Sequence, residues 1–234
     1  MATNATKEPW RRRLFLPNYQ IKEAARYARL SSQTIAAWHK AGARKHVQLT
    51  DRRQGDALSY MQLIEVAVVA AARGAGVPFR RIRAARDYVS DQFSSEFPFA
   101  EYRFKTDGRS LLMDYDQFEG EAGKDKLLRP DQGGQLAWKI IMGRLQEFEY
   151  EEGGGIVIRW HLDGPKSPIV IDPRISFGAP SIGGTPTWVI KGRWESGELV
   201  SEIAEDFGLS PTNVKRVLRF EGLTGQGRKK GWLH

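Results

Sequence analysis

Thr212, Asn213, Lys215, Arg216 and Arg219 bring together, in one short stretch, the side chains that reading a polynucleotide requires. An asparagine amide and an arginine fork match the hydrogen-bonding edges of adenine and guanine, and lysine and arginine heads neutralise phosphates. Such groups act together only if one surface presents them. The flanking residues predict that surface: Ile203, Phe207, Leu209, Val214 and Val217 recur as an apolar inner face, small Ala204 suits a close helix crossing, and Gly208 suits the turn that follows. Ser210 is placed to cap a second helix, with Pro211 at its first position. The stretch from Leu199 to Phe220 therefore reads as a helix-turn-helix whose second helix carries the DNA-facing residues.

Other chemistries find little material. The chain has no cysteine, hence no thiolate metal site and no cysteine nucleophile, and its four histidines (His39, His46, His161 and His234) are scattered. The carboxylate pairs Asp114 with Asp116 and Glu149 with Glu151 alternate as the solvated face of a strand does. No serine stands in a nucleophile elbow, and Gly153-Gly154-Gly155 lacks the Lys-Ser/Thr of a phosphate loop. The expectation is a protein that is not an enzyme, with no catalytic residue, metal or cofactor. A formal net charge of +8 over 234 residues favours a polyanion, here double-stranded DNA. The longest apolar run, Leu63 to Ala72, contains Glu65 and ends at Arg73, well short of a membrane span. No leader pattern opens the chain, so a cytoplasmic protein without membrane contact is expected.

Arg and Lys crowd the first hundred residues, whereas Asp and Glu gather between Glu101 and Asp163. Helical patterns run from Tyr19 to about Phe93: Ile21, Ala24, Ala25 and Ala28 lead to Leu30, Ile35 and Trp38, and a helix from Ser59 stops at Gly74 and Gly76. A further helix opens at Pro78 with Ile82, Ala85 and Val89 inward. Beyond it the period changes. Tyr102 and Phe104, then Leu111, Met113 and Tyr115, flank Asp107-Gly108 and predict a hairpin. An amphipathic helix over Leu136 to Leu145 precedes a second hairpin, in which Phe148 and Tyr150 face Ile156, Ile158, Trp160 and Leu162 across the glycine turn. Glu147 and Glu149 are expected to pair with Arg159 and His161 on the other face. Residues 163–186, rich in Pro and Gly, read as a connector.

Two segments carry a resemblance. Tyr19 to Ala25, Leu30-Ser31, Thr34-Ile35 and Trp38, followed by Leu58 to Ile64 and Gly76 to Arg83, resemble the MerR-like winged-helix group. The resemblance places a wing between about His39 and Gly55. Ser32 and Gln33, with Arg44, Lys45, Arg52 and Arg53, are then the DNA-binding candidates of this part. Arg29 occupies the turn position where that group usually has glycine, and Ala36 stands where it often has a phosphate-binding arginine. Asp172 to Pro180, Gly184-Thr185-Pro186, Glu202 to Phe207 and Leu209-Ser210 resemble a bacterial domain family long catalogued without a function, whose members often accompany PIN-like ribonuclease toxins as antitoxins. Pro186 replaces an arginine common there.

The combination resembles the long VapB-type antitoxins. It implies a DNA-binding antitoxin that neutralises a PIN-like toxin protein and autoregulates its operon, as a homodimer. The alternative is a MerR-like transcription regulator with a ligand-sensing or dimerising middle domain and no toxin. The expected fold class is α+β, two helix-turn-helix domains flanking a small middle α/β-hairpin domain. Its parts are a basic arm (1–18), a MerR-like winged helix-turn-helix domain (19–97), an acidic α+β domain (98–165), a connector with the C-terminal helix-turn-helix (166–223) and a basic tail (224–234). In that tail Arg228, Lys229, Lys230 and Trp232 are the toxin-binding candidates, by charge, because PIN-like nucleases gather acidic residues around divalent metal.

Overall fold

The structure, a computed structural model, describes residues 8–38, 57–109 and 132–223. It divides into two compact units, residues 1–158 and 159–234, and combines helices with short antiparallel strands.

The first unit is built around α4 (Tyr60–Gly74). Ser59 and Gln62 start this helix as a reciprocal capping box: the Gln62 amide donates to the Ser59 hydroxyl at 3.2 Å and the Ser59 amide to the Gln62 side-chain carbonyl at 2.9 Å. Leu63, Ile64, Val66, Ala67 and Val69 are fully buried, as expected of a helix apolar around most of its circumference and surrounded by others. Gly76, at φ 85°, turns the chain away after it. Against α4 pack α2 (Ile21–Ala28), α5 (Phe79–Phe93), α7 (Gln132–Leu145) and the 3-10 turn Pro98–Ala100, while α3 (Ser32–Trp38) packs on α2. Ser94 ends α5 in the left-handed region at φ 51° and is exposed. Ser94→Gly is therefore expected to raise the unfolding free energy by about 0.5–1 kcal/mol, read as a higher urea midpoint.

One charge interrupts the buried run. Glu65 of α4 is completely buried, accepting from Arg86 Nε of α5 at 2.6 Å and from the Phe99 amide at 2.8 Å. Burial pushes its carboxyl above the ordinary glutamate range, against the pull of Arg86 and of the Phe99 and Ala100 amides. Arg86 also donates to the Glu96 carbonyl, so this pair ties α4, α5 and the 3-10 turn together.

Two expectations are corrected in this unit. Of the segment read as a basic arm, the described residues 8–18 are docked: Pro9–Arg13 form α1, Leu14 is buried and its carbonyl accepts from the Met61 amide at 3.1 Å, and the Asn18 amide donates to the Leu58 carbonyl at 2.9 Å. The Asp107-Gly108 hairpin is absent as well, because residues 102–109 are helical (α6). Phe104 is sealed between Phe99, at 4.6 Å between ring centroids, and Trp138, at 6.1 Å. A Cβ at Gly108 would lie 2.7 Å from the Phe104 ring, so this glycine makes room for an aromatic one helical turn earlier. Leu111, Met113 and Tyr115 lie outside the described residues.

The second predicted hairpin is present as β1 (Phe148–Tyr150) and the start of β2 (Val157–His161), with Gly153 and Gly154 at φ 84° and 86° in its turn. Its alternation is broken, since Val157 rather than Ile158 is fully buried beside Trp160. Glu147 accepts from Arg144 at 2.5 Å, Arg159 pairs with Asp172 at 3.1 Å, and the His161 Nδ1 lies 2.7 Å from the Ser167 carbonyl, which requires the proton on that nitrogen.

In the second unit the residues read as a connector are strands. Val170–Ile171 (β3) pairs antiparallel with β2, Ser181–Ile182 (β4) with β3, and Thr185–Pro186 (β5) with β4. Gly183 and Gly184, at φ 55° and 83°, form the two-residue turn between β4 and β5. Ile169, Ile171 and Ile182 are core. Three helices follow and pack on one another: α8 (Thr187–Glu195), α9 (Val200–Asp206) and α10 (Pro211–Phe220).

Asp172 latches this unit. Its fully buried carboxylate accepts from Arg174 through the amide (2.9 Å), Nε (2.8 Å) and Nη2 (2.7 Å), and from Arg159 Nε at 3.1 Å. Burial pushes the carboxyl up, but the hydrogen bonds and charge of Arg174, with Arg159 behind them, outweigh it and hold the group below the usual aspartate range. A depressed folded-state value contributes stability that is fully present above the unfolded value, about 3.9, and is lost as pH falls through the lower folded one. Melts from pH 6 to pH 2.5 are expected to show the wild type losing stability along that limb, with Asp172→Asn starting lower and falling less steeply.

Candidate nucleic-acid interface

α9 and α10 are joined through Phe207, Gly208, Leu209 and Ser210. Gly208 adopts φ 61°, and the Leu209 amide returns to the Ala204 carbonyl at 2.8 Å, which closes the end of α9. Ser210 caps α10, its hydroxyl accepting from the Asn213 amide at 3.1 Å, and Pro211 stands at the first helical position. Ile203, Ala204, Val214, Val217 and Leu218 are buried, whereas Phe207 and Leu209 are half-buried at the turn. A Cβ on Gly183 would meet Leu209 at 3.1 Å, so the β4–β5 turn is fitted closely to this corner.

With that side sealed, the other face of α10 is open. Thr212, Lys215, Arg216 and Arg219 are exposed and Asn213 is half-buried. At 3.6 residues per turn, Thr212, Lys215 with Arg216, and Arg219 stack into one stripe, with Asn213 beside Arg216 on the adjoining row. The ten residues of α10 span about 15 Å, enough to lay several side chains along a groove about 12 Å wide. The structure thus brings together all five residues that the sequence singles out in this helix.

The neighbouring helix has the opposite sign. Glu202, Glu205 and Asp206 of α9 are exposed; Glu202 accepts from the Leu199 amide at 2.8 Å and Asp206 from Arg193 of α8 at 2.5 Å. Arg193 is also held by Glu198 and lies 5.4 Å from the Phe207 ring centroid. The hydrogen bonds to Glu198 and Asp206 raise its pKa further, so its charge is permanent and already engaged in bracing α8 against α9. Phosphates are therefore favoured along α10 and disfavoured along α9. Arg193 and Asp172 went unassigned in the sequence reading. The close spacing of Asp172 and Arg174 is a local sign of the latch, and Glu198, five residues on, is a local partner of Arg193, whereas Asp206 lies 13 residues away.

In the first unit, Arg29 separates α2 from α3 in the left-handed conformation, φ 58° and ψ 46°, which costs a non-glycine residue about 1–2 kcal/mol. The Ser31 hydroxyl accepts from the Thr34 amide at 3.1 Å, and Ser32 and Gln33 are exposed in the first turn of α3. Ala36 is half-buried. Arg44, Lys45, Arg52 and Arg53 lie outside the described residues, as do Arg228, Lys229, Lys230 and Trp232. Among the described residues no three His, Asp or Glu side chains gather as metal ligands, and no helix is long and apolar enough to cross a membrane.

Comparison with known proteins adds three findings. Residues 169–220, from β3 through α10, match a family described as a protein of unknown function, DUF433. Over 228 residues the chain is 26% identical to the Mycobacterium tuberculosis protein named "Putative antitoxin VapB45", covering 88% of this chain and 94% of that one. The X-ray crystal structure of Rv2018 from Mycobacterium tuberculosis superposes with a TM-score of 0.72 at 23% identity, covering 88% of this chain and 99% of that chain, a likeness of fold.

Proposed function

We propose that this protein is a DNA-binding antitoxin that neutralises a PIN-like ribonuclease toxin and represses its own operon. The outward stripe of α10 carries the DNA half of the reading. Its side chains are of the types that grip phosphates and read bases, and they stand on a helix capped at its start and buried along its other face. The likeness to the mycobacterial protein named as an antitoxin, over nearly the full length of both chains, supports the other half. The α2–α3 pair is read as a MerR-like winged helix-turn-helix offering a second contact through Ser32 and Gln33, with Arg44, Lys45, Arg52 and Arg53 in the wing. The protein acts as a cytoplasmic homodimer, placing two copies of α10 on half-sites about 34–36 Å apart.

The test has two arms. In the first, fluorescence anisotropy follows the full chain binding a fragment of its own promoter as salt is raised. Saturable binding that weakens steeply with salt is expected, and equal affinity for an unrelated duplex of the same length would defeat the operator reading. In the second, the chain is co-expressed with the PIN-like nuclease of its operon. Growth should be restored, and undiminished toxicity, or an operon without such a gene, removes the antitoxin half alone.

The basic tail is assigned to the toxin's acidic cleft. A chain ending at Leu223 should still bind promoter DNA but neutralise the toxin less well. Full neutralisation by the shortened chain transfers the contact to another surface.

A further inference from the structure

Within the first unit, the α2–α3 turn, the C-terminal end of α4 and the last turns of α7 enclose an open cavity of about 690 Å³. That volume is in the range of small-molecule sites. Its walls mix two kinds of surface: Trp38 and Ile140 are apolar, and Arg29, Arg73, Arg144 and Glu147 are charged. Three guanidinium groups and one carboxylate thus line it; Glu147 is engaged by Arg144 at 2.5 Å, and Arg73 donates one Nη to the Val77 carbonyl at 2.7 Å.

Three features mark the walls of this space. Trp38 is fixed before any ligand arrives: its ring stacks on Phe79 at 5.1 Å with 12° between planes, and Phe79 carries the Arg83 guanidinium at 4.5 Å on its own ring. Arg29 occupies a left-handed position that glycine would take without strain, and what arginine adds there is a cation at the cavity wall. Gly143 lies inside α7, where alanine is the better helix former, and a Cβ there would meet nothing within 4 Å. No crowding requires that glycine; what its bareness preserves is room. Gly74, the last residue of α4, lines the same cavity and is equally uncrowded.

We infer that this cavity binds a small organic carboxylate with a flat apolar body. Guanidinium forks match a carboxylate in a bidentate way, and the exposed Ile140, beside the narrow edge that the buried Trp38 leaves open, provides a surface for the apolar part. A neutral apolar ligand would strip water from the guanidinium heads and return nothing. A bare inorganic anion would leave the exposed Ile140 side chain uncovered. Because the walls come from α2, α3, α4 and α7, an occupant joins all four helices and stabilises the folded unit by linkage. The inference is independent of the antitoxin reading.

The experiment titrates the full chain by calorimetry with 2-naphthoate and with its neutral counterpart 2-naphthylmethanol. Expected are one naphthoate site per chain and at least tenfold weaker binding of the alcohol. Arg73→Gln, an exposed position, should weaken naphthoate about tenfold with little effect on the alcohol. Arg29→Gly should raise the melting temperature while weakening naphthoate, because it relaxes the backbone and removes the charge together. Gly143→Leu, which fills the space, should abolish binding. The absence of saturable heat with naphthoate overturns the inference, as do equal affinities for the two probes or naphthoate binding retained in both Arg73→Gln and Arg29→Gly. Should Gly143→Leu fail to fold, those two arginine variants decide the question.

Discussion

A variant carrying Glu65→Ala is expected to lose about 3–5 kcal/mol of stability, the cost of leaving one member of a buried ion pair without the other. Since domains are stable by about 5–15 kcal/mol, that is a large part of the total and should appear as a much lower urea midpoint. The size of the effect follows from where the charge sits. Glu65 is fully buried in the middle of α4 and receives both the Arg86 side chain and the Phe99 amide. Removing the carboxylate takes from the buried Arg86 cation its closest partner, leaving the exposed Asp87 at 3.9 Å as counter-charge, and leaves an amide donor unmet in an apolar interior, each with a desolvation cost. Replacing the pair together, as Glu65→Leu with Arg86→Met, should recover much of the loss, because two apolar side chains leave no charge behind. The recovery is expected to be incomplete, since Arg86 also holds the Glu96 carbonyl. A Glu65→Ala protein whose midpoint matches the wild type would show that the pair contributes nothing to stability.

The second large effect is on binding. Asn213→Ala with Arg216→Ala should weaken promoter DNA binding by roughly 30-fold to 20,000-fold, from about 1–3 kcal/mol of lost base contact at each position. Stability should hardly change. The Asn213 amide that satisfies the Ser210 cap is a backbone group and survives the substitution, and Arg216 is exposed. Ser210→Ala is the informative contrast, because it removes the cap and should cost about 1 kcal/mol of stability while leaving the stripe's side chains in place. Lys215→Ala is expected to weaken all duplexes alike and to make binding less salt-dependent. If the double variant binds the promoter as the wild type does while remaining folded, α10 is not the reading helix and the α2–α3 pair becomes the surface to test.

By itself the sequence determined the elements whose signals are local. The Ser59 cap, the apolar run and Gly76 delimit α4, and Gly208, Ser210 and Pro211 delimit the turn before α10, because capping and left-handed φ are satisfied by neighbours a few residues away. The outward set on α10 was legible for the same reason: helical period alone separates Val214 and Val217 from Thr212, Lys215, Arg216 and Arg219. What depended on distant partners was decided only in three dimensions. Asp107-Gly108 has the composition of a turn, but Phe104 gains burial against Phe99 and Trp138 only as a helix, with Gly108 clearing space for its ring. The Pro- and Gly-rich stretch from residue 163 to 186 has the composition of a connector, yet Asp172 clamped by Arg159 and Gly183 fitted to Leu209 hold it as strands. Glu65 is visible in the sequence as an interruption of an apolar run. The groups that make its burial tolerable, Arg86 and the Phe99 amide, lie 21 and 34 residues away, and a pattern read over one or two helical turns contains no information about what packing brings from that distance.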